Sequence, residues 1–115
     1  MLVSVLNRFE IKATMSPYDH IFDAAANGDV DELTRMLDDG ADIEASKKNG
    51  VTALHVAAIN GHDDCMRLLL EYGADADAVT DCGSTALYIA VWFEHPTCVQ
   101  VLLDHNAEIE NEDDV

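Results

Sequence analysis

Gly40-Ala41-Asp42 returns as Gly73-Ala74-Asp75 and again as Asn106-Ala107-Glu108, 33 residues apart each time. Thr52-Ala53-Leu54-His55 returns at the same offset as Thr85-Ala86-Leu87-Tyr88, and Asn27-Gly28-Asp29 as Asn60-Gly61-His62. Met36-Leu37-Asp38 matches Leu69-Leu70-Glu71 and Leu102-Leu103-Asp104. A single register satisfies every match. A repeat of this length is too short to bury an apolar face alone, so three units stacked on one another share a core that none of them has by itself.

Within each unit the residues read helix, turn, helix, loop. Thr52 is placed to cap a short helix from Ala53 to Ile59, and Thr85 to cap one from Ala86 to Phe93. Asp19 takes the same part for a helix opening at His20-Ile21-Phe22. Asn60-Gly61 stops the middle unit's first helix in a left-handed conformation. A second helix follows from Asp63 to Tyr72. Its Met66, Leu69 and Leu70 fall at i, i+3 and i+4, one face of a helix, and Gly73 closes it. Residues 74–84 are polar and punctuated by glycine, the pattern of an extended loop or hairpin.

The period, Gly50-Val51-Thr52-Ala53-Leu54-His55, Asn60-Gly61-His62, the run Leu68-Leu69-Leu70 and Gly73-Ala74-Asp75 together resemble the ankyrin repeat family over residues 17–111. The resemblance implies an all-α solenoid of helix-turn-helix repeats joined by short loops or hairpins. The repeat domain is 16–111, with units at about 16–48, 49–81 and 82–111. Residues 1–15, which have no counterpart in the repeats, are read as a poorly ordered extension, and 112–115 as an acidic tail.

The sequence also departs from the family. Ala53 and Ala86 stand where it has proline, and Tyr88 where it has histidine. Glu94 replaces the glycine of the first turn and must either take up a positive φ or adopt another turn; Pro96 two residues on favours a different turn there. The loop position at which the family has asparagine carries Glu44, Asp77 and Glu110, which removes the residue that asparagine-dependent binding or modification needs.

Charge narrows the function classes. The chain of 115 residues holds 23 acidic and 6 basic side chains, a net charge of −17. Nucleic-acid phosphates and anionic membrane surfaces both call for a basic face, so neither is an expected partner. A protein with a basic or mixed surface is. No apolar run approaches the length of a membrane span. The opening Met1-Leu2-Val3-Ser4-Val5-Leu6 is too short for a signal peptide, and its charge follows the apolar stretch. Cys65, Cys82 and Cys98 are odd in number and fit no disulfide framework, and there is no Asn-x-Ser/Thr acceptor; both features point to the cytoplasm or nucleus.

Candidate chemistry is sparse. His62-x-x-Cys65 and His95-x-x-Cys98 have spacing that suggests a zinc site in a metal-linked redox protein. Against this, the cysteines occupy aliphatic core positions and the histidines belong to the repeat, so no metal and no cofactor are assigned. Asp75, Asp77 and Asp81 imitate a calcium loop, but Val79 and Thr80 fall where a ligand and the glycine belong. His55 has no nucleophile placed to use it as a base; its expected partners are the Thr52 hydroxyl or the backbone of the next loop. No phosphate cradle or hydrolase motif is present. The chain is therefore read as no enzyme.

The expected function is a protein–protein interaction module that displays a concave surface to a partner. The alternative is a regulatory or targeting fragment of a larger enzyme or channel. The resemblance implies partner contacts at Ser46, Lys48, Asn49, Val51, Ile59, Asn60, Val79, Asp81, Cys82 and Ser84, and at the aromatic pair Trp92 and Phe93. Val115, after a run of acids, suits capture by a peptide-binding domain. The first unit, with Glu32 and Arg35, has the polar outer face of an end repeat. The third keeps Cys98, Val99, Val101, Leu102 and Leu103, an interior pattern. That face is expected to be covered by further repeats, by a partner, or by self-association with a second copy.

Overall fold

A computed structural model describes residues 20–113, and side chains as far as residue 106. Among these residues there are six helices and no strand: α1 (Ile21–Asn27), α2 (Val30–Asp38), α3 (Ala53–Asn60), α4 (Asp63–Glu71), α5 (Ala86–Trp92) and α6 (Pro96–Asp113). They pair as α1–α2, α3–α4 and α5–α6. The first members pack into an inner row, α1 on α3 on α5, and the second members into an outer row, α2 on α4 on α6. The extension 1–15 lies outside the described residues.

The core is continuous through all three repeats. Alanines fill the inner row: Ala24, Ala25, Ala53, Ala57, Ala58, Ala86 and Ala90 are fully buried. The outer row contributes bulkier side chains, among them Leu33, Met66, Leu69 and Leu102. Cys65 and Cys98 are buried with them as small hydrophobes.

Local chemistry sets the helix starts. The Thr52 hydroxyl accepts the His55 N–H, while Nδ1 of His55 accepts the Thr52 N–H at 3.0 Å, a reciprocal capping box. Thr85 accepts the Tyr88 N–H at 3.2 Å. Asp29 caps α2 by accepting the Glu32 N–H at 3.1 Å. The expected cap of α1 is corrected: Asp19 lies outside the described residues and the capping position is His20, whose side chain makes no cap bond. Its ring instead stacks on Phe22 at 4.3 Å.

Two further expectations give way, and the last helix outruns its counterparts. Glu94 adopts the left-handed conformation, φ +59, where another turn was expected. The turn backbone matches that of Gly28 and Gly61: His95 N–H donates to Ala90 at 2.9 Å, as His62 N–H donates to Ala57 at 3.0 Å. Pro96 simply opens α6 from its first position, where its missing N–H costs nothing. Glu32 is buried rather than on a polar outer face; it lies at the α2 position that Cys65 occupies in α4, and Arg35, 3.6 Å away, partners its carboxylate. Finally, α6 runs 18 residues, through residues 112 and 113 of the expected tail. Gly40 and Gly73 follow the ends of α2 and α4 with φ near +95, but Asn106 holds the equivalent position and the helix continues.

Candidate protein-binding face

The expected contact residues fall in two loops and at the ends of two inner helices. Ser46, Lys48 and Asn49 are exposed and Val51 half-buried in the loop before α3. Val79, Asp81 and Cys82 are exposed and Ser84 half-buried in the loop before α5. Each loop tip is a tight turn. Lys47 N–H donates to Val51 and Gly50 N–H to Lys47, both at 2.9 Å; Thr80 N–H donates to Ser84 at 3.0 Å and Gly83 N–H to Thr80 at 2.8 Å. Ser46 and Thr52 form an isolated antiparallel bridge at the base of the first.

The two tips are joined. Asp81 N–H donates to the Asn49 carbonyl at 2.9 Å, and Gly50 fits beneath them because a Cβ there would come within 3.1 Å of the Asp81 nitrogen. Lower down, Asp75 N–H donates to the Glu44 carboxylate at 2.8 Å. Glu44, the acid at the family's asparagine position in the first loop, thus holds the two loops to one another. The first tip carries Lys47 and Lys48, with Lys47 Nζ 5.3 Å from the centre of the Phe22 ring, and the second carries Asp81. The face offers both signs of charge, side by side.

At the helix ends, Ile59 is half-buried and Asn60 exposed, but the Asn60 amide turns back to donate to the Val56 carbonyl at 3.0 Å. Trp92 is 70% exposed and Phe93 47%. Two residues of this surface escaped sequence reasoning: Tyr88, 57% exposed and stacked on Trp92 at 6.3 Å, and Val91, also 57% exposed. Their counterparts His55 and Ala58 are buried by the following repeat, so only the end of the stack uncovers them.

The histidines and buried cysteines are taken up by structure. His62 donates its Nε2–H to the Ala26 carbonyl and His95 to Ile59, each at 3.0 Å and each across a repeat boundary. Burial, with the charges of nearby aspartates added, pushes the Cys65 thiol up to about 11; burial and Asp63 do the same to Cys98. A thiol held protonated in this way is a poor metal ligand at neutral pH. Among the described residues no group of three or more histidine, cysteine or acidic side chains is arranged to hold a metal ion.

A family model of ankyrin repeats, in three copies, matches residues 21–113. The chain belongs to the ankyrin repeat family. Among solved structures it is similar to the crystal structure of the human ASB11 ankyrin repeat domain, with 36% identity and a TM-score of 0.71. The match covers 78% of this chain and 39% of that one, so this ankyrin chain spans well under half of the solved domain. No curated protein matches it. Ankyrin repeats generally serve as protein–protein interaction modules. No helix among the described residues is long and apolar enough to cross a membrane.

Proposed function

We propose that this ankyrin chain is a non-catalytic module that binds a partner protein with a basic or mixed surface through its loop tips and inner helices, anchored by Trp92 and Phe93. The observation that carries the reading is the exposure of Trp92, 70%, in a helix whose other side is buried core. Large aromatic side chains supply contact area at low entropic cost and are frequent hot spots. The tied tips support the reading: with Asp81 bonded to Asn49, the surface is already ordered before binding, and less conformational freedom is lost. Lys48 and Asp81 set the register by charge. The three free cysteines, Cys65, Cys82 and Cys98, fit a reducing compartment, the cytoplasm or nucleus.

An affinity capture with the intact chain, repeated with a Trp92→Ala, Phe93→Ala variant, tests it. Proteins retained by the intact chain are lost with the variant, and are still retained by an Arg67→Ala control on the outer helices. Association is slower at high salt than at low salt, as screening shortens the reach of the −17 charge. Equal capture by intact and variant chains defeats the reading.

A further inference from the structure

Positions 28, 61 and 94 are equivalent, and the first two are glycine for a steric reason. A Cβ on Gly28 would lie 2.8 Å from Nδ1 of His62, and one on Gly61 2.7 Å from Nδ1 of His95. Each ring also donates to the carbonyl two residues before its glycine. One repeat therefore docks on the last by laying an imidazole on a glycine.

The third repeat presents the same slot with Glu94 in place of glycine, on the same turn backbone. Its real Cβ fills the space that the ring of a fourth repeat needs. A second copy stacked head to tail fares no better. Asp29 stands at the position of His62 and His95, so such a contact sets the Asp29 and Glu94 carboxylates against one another. The imidazole-on-glycine contact is therefore available to neither at this end.

What remains is a shallow groove between Val91, Pro96 and Val99, with Glu94 and His95 at its edge. Its floor is apolar. Its polar groups at the slot are acceptors: the Glu94 carboxylate, and the Trp92 carbonyl, which stands where Ala26 and Ile59 receive their imidazoles.

We propose that this end face, which meets the candidate binding face at Val91 and lies apart from the loop tips, is a second interaction surface for an apolar segment of a partner protein bearing an arginine or lysine that enters beside Glu94. A cationic donor satisfies both acceptors at once, on a chain whose net charge draws such partners.

The test uses two synthetic amphipathic 16-residue helical peptides of leucine, alanine and glutamine, one with a single arginine beside the leucine stripe and one with glutamine in its place. Both are titrated into the isotopically labelled full chain at physiological salt, with amide shifts and affinity as readouts. The arginine peptide shifts amides within residues 94–100, more than those of Trp92 and Phe93, and binds about tenfold more tightly than its twin. Glu94→Gln removes that advantage, an exposed Asp39→Asn leaves it, and Val91→Ser weakens both peptides alike. The proposal is overturned if the advantage survives Glu94→Gln, if the shifts lie elsewhere on the acidic surface, or if sedimentation shows a dimer of the chain seated on residues 90–100.

Discussion

Nε2 of His55 lies 2.9 Å from the carbonyl oxygen of Ala78, so a helix of the second repeat holds the loop that leads into the third. Nδ1 of the same ring accepts the Thr52 N–H. One imidazole therefore caps its own helix and fastens its neighbour, and it does both as the neutral tautomer with its proton on Nε2.

Burial holds the His55 imidazole below its ordinary value of 6.5, against the opposing pull of the Ala78 and Ser84 backbone and the Glu44 charge. The folded state thus prefers the neutral ring. Stability from this preference is complete above pH 6.5; as pH falls below that value the unfolded chain takes up the proton first and stability declines. Relief of carboxylate repulsion works in the other direction, so a reference is needed. The urea midpoint of the wild type, measured against that of His55→Asn, falls between about pH 7.5 and about pH 5. A constant gap between the two proteins shows that another group is titrating.

Thr52→Val keeps the shape of the side chain and removes the hydroxyl that accepts the His55 N–H. The loss is about 1 kcal/mol, read as a lower urea midpoint with an unchanged slope. Thr85→Val costs less, since Tyr88 makes no bridge to a following loop and its helix is half-open to water. Equal losses at the two sites make the His55 bridge energetically idle.

Gly61→Ala and Gly73→Ala separate crowding from backbone strain. Both glycines have positive φ, but a Cβ at Gly61 meets the His95 ring at 2.7 Å while one at Gly73 meets nothing within 4 Å. Gly61→Ala is expected to cost about 1–3 kcal/mol more than Gly73→Ala, and to reduce hydrogen-exchange protection in α5 and α6 more than in α1. Matching losses refute the imidazole-on-glycine docking.

A thiol reagent distinguishes the three cysteines. Cys82 sits exposed at a loop tip, while Cys65 and Cys98 are buried with thiols pushed up to about 11. Native chain treated with iodoacetamide near neutral pH gains one label, on Cys82, and all three only after denaturation. Native labelling at Cys98 means that the end repeat opens far more readily than its packing implies.

The architecture was legible because a repeated sequence samples each rule several times. Thr52, Thr85, Gly61 and Gly73 declare caps and stops through their own chemistry. What the sequence hid depends on neighbours. Glu94 and Pro96 argued locally for a new turn, but the backbone bond from His95 to Ala90 and the packing of α5 on α6 retain the old one at the cost of an unfavourable φ. Glu32 looked like surface because of its charge; burial was decided by its position on α2 and the company of Arg35. At the far end, Cys98, Val101 and Leu102, expected on the uncovered face, are buried in the stack; Leu103 is exposed as expected, and Tyr88 and Val91, which were not foreseen, are exposed with it. Which side of a repeat faces its successor depends on three-dimensional register. Of the candidate site, Trp92 and Phe93 could be named from their type, whereas the tie between Asn49 and Asp81 leaves no trace in either residue's identity.

The inner helices bury seven alanines, and the outer ones mainly leucine, methionine and cysteine. Side-chain volume sets how closely two helices approach, so each repeat is a wedge, thin on the inner row and thick on the outer. Stacked wedges turn each repeat against the last, and buried methyl groups set how far. A chain with one valine in place of Ala57 or Ala90 keeps every residue of its proposed recognition surface and is expected to present it at another span.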